Sequence, residues 1–214
     1  ARGEEHRSSN MVLRAASVNS ALGVPLCLVP CIVGDIFLVQ WVGPQYRDSA
    51  RYMIAMMLPT VVVVTMEPVW MAMVARGRIG GIAIGDISVA VANPILSLIL
   101  ALPLKMGLMG FALGNAVAML MKNLLLRPLL GRGEEGIPPL WATFLTLPRA
   151  LLGGAPALVA LWLLRPVYSG SLHAVLLAGF LGGLVCLAGS LFTAVGWKDT
   201  RGLVLALAGR LRGQ

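Results

Sequence analysis

The stretch AASVNSALGVPLCLVPCIVGDIFLVQ, Ala15 to Gln40, holds a single charged side chain, Asp35, in 26 residues. A bilayer hydrocarbon core of about 30 Å takes about 20 helical residues to cross, and it leaves no water to satisfy an open backbone. The stretch therefore reads as a membrane-crossing helix, bent by Pro25 and Pro30, each of which frees a carbonyl one turn earlier. Five further stretches read the same way: about Tyr52 to Ala75, Ile79 to Leu102, Met106 to Leu126, Arg149 to Leu164 and Leu172 to Val195. With 58% hydrophobic and only 12% charged residues, the chain has too much apolar surface for one water-soluble domain. The expected fold is an all-α, polytopic membrane protein with a bundle of six transmembrane helices.

Residues 1–14 read as a cytoplasmic tail, 15–195 as the six-helix lobe and 196–214 as a basic amphipathic tail suited to a membrane surface. Between the fourth and fifth crossings a loop is expected over 127–147. Its charged part holds Arg127, Arg132, Glu134 and Glu135, and Ile137 to Leu147 is an interfacial segment too short to span. The chain starts without a methionine, which is read as a piece of a longer protein. On alternating sides of this topology, 13 of the 17 Lys and Arg residues fall with the two termini. By the positive-inside rule both termini face the cytoplasm. The net charge of +8 thus encodes orientation; the basic residues punctuate apolar runs and form no nucleic-acid surface.

All three cysteines lie in crossings, where thiols pack as small hydrophobes. Cys27 and Cys31 are one helical turn apart, but no histidine or third cysteine accompanies them as a metal set. No cofactor and no catalytic constellation is expected, and the chain is not read as an enzyme. Its chemistry lies in polar groups inside the crossings. Glu67 and Asp86 lie on consecutive helices, each roughly 10 to 12 Å deep at about 1.5 Å per residue. Two carboxyls at one depth do not both ionise readily, so the pair is a candidate proton-coupling site. Asp35, near the outer end of the first crossing, is expected to be solvated. Asn19, Asn93 and Asn115 are candidates to line a hydrophilic cavity, although interhelical hydrogen bonding is the commoner use of such groups. Arg14 and Lys122, near the cytoplasmic boundary, are candidates to contact a charged headgroup or to snorkel toward anionic lipid. Gly107, Gly110 and Gly114 give the fourth crossing a small-residue face that admits a close neighbour.

The run Trp41-Val42-Gly43-Pro44-Gln45-Tyr46, followed by Met73-Val74-Ala75-Arg76-Gly77-Arg78 at the end of the next helix, resembles the polysaccharide transporters of the multidrug/oligosaccharidyl-lipid/polysaccharide flippase superfamily. Asn93 and the run Gly107 to Gly114 are similar to that family as well. The resemblance covers about residues 14 to 127; the last two crossings match in hydropathy alone. It implies the C-terminal six-helix lobe of a twelve-helix flippase for polyprenyl-pyrophosphate-linked oligosaccharide in a bacterial inner membrane. The implied partners are the lipid bilayer, the lipid-linked glycan and the N-terminal lobe of the same protein. Two alternatives remain open from the residues: a lobe of a cation-coupled multidrug exporter, with the cation near Glu67 and Asp86, and a membrane-embedded glycan-modifying enzyme using Glu134 and Glu135.

Overall fold

The computed structural model describes residues 2–126 and 137–196. It is all-α: α1 (Arg2–Trp41), α2 (Ser49–Ala75), α3 (Ile79–Ala101), α4 (Leu108–Met121), α5 (Leu140–Phe144), α6 (Thr146–Leu163), α7 (Arg165–Tyr168) and α8 (Leu172–Ala194). A π-helical turn, Lys122–Leu126, extends α4. Six helices among the described residues are long and apolar enough to cross a membrane: His6–Trp41, Ser49–Ala75, Ile79–Ala101, Leu108–Leu126, Leu140–Leu163 and Leu172–Ala194. The chain is a multi-pass membrane protein.

Two boundaries differ from the sequence reading. The expected tail over 1–14 is helical from Arg2 onward and continuous with the first crossing. Between Arg2 and Arg14 there is no proline and only one glycine, Gly3, against helix formers such as Glu4, Arg7, Met11 and Leu13. At 40 residues α1 is about 60 Å long, twice the hydrocarbon thickness, so part of it projects beyond the bilayer. The second difference is the segment expected at the interface. Leu140 to Leu147 is helical and leads directly into the fifth membrane-length helix, Leu140–Leu163. Extended Pro139 caps its start. The helix is interrupted at Leu145, where Pro148 has no N–H to return to the Phe144 carbonyl. Arg127, Arg132, Glu134, Glu135 and the tail beyond Gly196 lie outside the described residues.

Helix α1 is the hub, packed against α2, α6 and α8, while α6 and α8 pack on each other. On the other side α4 joins α2 to α3, and α3 meets α2 only marginally. The outermost helix is therefore α3, whose exposed face is aliphatic: Ile87, Val91, Ile95 and Leu98 are each about half exposed or more.

Small residues set the close approaches. A Cβ on Gly110 would lie 2.6 Å from Ala101 Cα, and one on Gly114 would lie 2.6 Å from Ser97 Cα, both across the α3–α4 contact. Gly153 on α6 and Gly189 on α8 meet backbone to backbone, so a Cβ on either would strike the other's carbonyl oxygen. Gly107 does not belong to the packed face. It has φ +56 and open space around it, and serves the turn into α4, for which glycine is suited.

Candidate functional site

In hydrocarbon each polar group needs a partner, and several of the described polar side chains find theirs across helix contacts. Pro68 leaves the Val64 carbonyl of α2 without its usual donor. Asn19 Nδ2 of α1 donates to that oxygen at 3.1 Å. At the next residue of each helix, Ser20 Oγ lies 3.1 Å from Thr65 Oγ1 and 2.8 Å from Thr146 Oγ1, so three hydroxyls tie α1, α2 and α6 together. All three are buried.

The α3–α4 contact carries a second network. Asn93 Nδ2 donates to Asn115 Oδ1 at 3.1 Å, and Ser97 Oγ donates to Asn93 Oδ1 at 3.2 Å. Of the candidate cavity residues, these two asparagines are brought together and Asn19 is taken separately to α2. All three act as interhelical bonds.

The third network lies at the end of α4, where the ladder widens into the π turn. The Lys122 ammonium pairs with the Asp86 carboxylate of α3 and sits 4.9 Å from the centre of the Trp70 ring on α2. Trp70 Nε1 donates to Asn123 Oδ1 at 3.0 Å, and Asn123 Nδ2 donates to the Met119 carbonyl at 3.0 Å. The cation is thus held between a carboxylate and the electron-rich face of an indole. Lys122 is 24% exposed at its side chain and Asp86 57%, so the lysine is the fixed partner and the aspartate the open one. Met66, Trp70 and Met73, with Ile82, Leu140 and Phe144 around them, form the apolar floor.

This differs from the expected carboxylate pair. Asp86 is bonded to Lys122, and Glu67 is exposed on α2 with no hydrogen bond or ion pair among the described residues. Equal depth is not equal azimuth: α2 and α3 touch little beyond their connection, so their carboxylates face different neighbours. Lys122 points to Asp86 rather than away toward headgroups. Arg14 is exposed and lines a cleft of about 360 Å³ with Asn10, Leu13, Ser17, Ala194 and Val195.

Sequence reasoning missed three participants. Trp70 and Asn123 carried a signal: an indole N–H and an amide inside apolar stretches each need a partner. Asp35, expected to be solvated, pairs with Arg165 across the α1–α7 contact, both side chains about 30% exposed. A carboxylate and a guanidinium near the same membrane face were the available clue. Tyr168 packs beside them, its Oη donating to the Leu161 carbonyl at 2.8 Å. Burial raises its phenol above the ordinary value, with Arg165 opposing and Asp35 reinforcing. The Cys31 thiol donates to the Cys27 carbonyl at 3.1 Å, a helix-internal bond that accounts for its polar atom.

The fold and these networks define a polytopic, all-α membrane protein whose crossings carry charge and amide pairs. Comparison with known families, curated proteins and solved structures gave no match.

Proposed function

We propose that the chain is one lobe of a flippase that moves polyprenyl-pyrophosphate-linked oligosaccharide across a bacterial inner membrane for surface polysaccharide synthesis. The observation that carries the reading is charge inside the crossings: Lys122 with Asp86, and Glu67 exposed within α2. Such groups are costly in lipid and mark pathways in transport proteins far more than they mark inert anchors. The motif resemblance around Trp41–Tyr46 and Met73–Arg78 supplies the cargo class. The excess of Lys and Arg on one side places both termini of this segment in the cytoplasm.

In this reading the protein performs no covalent chemistry. The lipid tail stays in the bilayer while the glycan crosses between this lobe and a second one, and rocking of the lobes alternates access. Glu67 and Asp86 couple movement to a cation gradient, Glu67 by taking up the cation and Asp86 by releasing and regaining Lys122. The test is translocation of a lipid-linked oligosaccharide in vesicles containing the complete protein, with and without a proton or sodium gradient. Gradient-driven flipping that falls severalfold in Glu67→Gln and Asp86→Asn is expected. Unaltered flipping in both variants would remove the coupling role, and absence of flipping in the unaltered protein would remove the flippase itself.

A further inference from the structure

We infer that one face of α2, the stripe Met56, Thr60, Val63, Glu67, Met71 and Val74, borders water inside the membrane and is the wet wall of a passage. Three observations converge on it. First, Glu67 is the single carboxylate in the described membrane-length helices that has no ion-pair partner among the described residues, since Asp35 holds Arg165 and Asp86 holds Lys122. An ionised or hydrogen-bonding acid within a crossing faces a cavity or a partner, not acyl chains.

Second, two other faces of α2 are already occupied. Thr65 bonds to Ser20 and Val64 to Asn19, toward α1, while Met66, Trp70 and Met73 lie in the core with Leu140 and Phe144. Leu58 is exposed as well, at 50%, but of the rows left open the stripe is the one that carries a carboxylate. Met56, Met71 and Val74 are 44%, 55% and 42% exposed, and Glu67 is exposed between them at helical spacing. Third, the composition differs from that of the lipid-facing helix. Beyond Asp86 and Ser88 near its start, the exposed face of α3 is a run of Ile, Val and Leu, whereas the α2 stripe carries threonine and a carboxylate among its methionines and valines along the middle of the helix. Flexible methionines suit a surface met by changing contents.

The inference deepens the transport reading and rests on it only for the word passage; water along α2 is a separate, measurable property.

Single cysteines at Thr60, Val63, Glu67 and Met71 of the complete protein, in vesicles, are to be compared with cysteines at Ile87 and Ile95 on α3. The probe is a charged, membrane-impermeant maleimide, and wild-type labelling of the native thiols is subtracted. Because the thiolate is the reacting species and apolar surroundings suppress it, the α2 positions are expected to react at least about tenfold faster than those on α3. Equal, slow reaction at both sets overturns the inference, as does protection of the stripe by a covering helix. Hydroxyl-radical footprinting of the unmodified protein needs no variant: Met56 and Met71 should oxidise ahead of buried Met66 and Met73, and equal oxidation overturns it. A wet stripe with no glycan translocation would sink the flippase reading alone. A dry stripe with translocation would sink this one alone.

Discussion

Replacing Gly114 by alanine puts a methyl group where backbone already lies. A Cβ there stands 2.5 Å from the Ser97 nitrogen and 2.6 Å from Ser97 Cα, whereas ordinary contact begins near 3.4 Å. Backbone cannot rotate aside, so α3 must retreat by about 1 Å, enough to forfeit much of the local dispersion contact. Overpacking of this kind costs about 1 to 3 kcal/mol. The retreat also stretches the Asn93–Asn115 bond of 3.1 Å, and such interhelical bonds contribute about 0.6 kcal/mol on average in membranes. Against this stands a gain of about 1 kcal/mol from replacing glycine in a helix. The balance is a loss of roughly 0.6 to 2.6 kcal/mol, or roughly 3- to 80-fold in the folding equilibrium.

Reversible unfolding in mixed micelles, followed by circular dichroism as denaturing detergent is titrated in, reads that loss. Gly183→Ala is the control. It is also helical, yet a Cβ there meets nothing within 4 Å, so it should be neutral or stabilising by up to about 1 kcal/mol. Asn115→Ala should cost less in the Gly114→Ala background than alone, because the first change already weakens the bond. If Gly114→Ala matches Gly183→Ala, or if Asn115→Ala costs the same in both backgrounds, the α3–α4 contact is not as close as described.

Lys122→Met leaves the Asp86 carboxylate without its ammonium, and an expected loss on the order of 1 kcal/mol should be largely recovered by adding Asp86→Asn; the same unfolding assay decides, and an additive double variant would deny the pairing. Asn19→Ala strands the Val64 carbonyl and should cost about 1 kcal/mol, but less in a Pro68→Ala background, where an amide N–H returns to that oxygen; an equal cost in both would refute the link. Tyr168 should ionise above the ordinary value of 10.0, from burial first. The stabilisation by its neutral form is therefore intact below about pH 10 and lost as pH rises through the higher folded value. Ultraviolet difference titration against Tyr168→Phe measures this, and ionisation at or below 10 would contradict the burial.

The six crossings were legible because lipid imposes a one-dimensional rule: length and apolarity along the chain suffice to locate a helix with no outside partner for its backbone. Glu67, Asp86, Asn93 and Asn115 were legible as polar groups within helix-length apolar stretches, and rise per residue gave an expected depth for each. Azimuth was not. Whether two groups at one depth meet depends on which helices adjoin and how each is rotated. Glycine contacts such as Gly114 on Ser97 and Gly153 on Gly189 settle that in space. The tertiary structure alone therefore decided that Asp86 meets Lys122, that Trp70 holds the lysine from beneath, that Asp35 meets Arg165, and that Glu67 is left on an open face of α2.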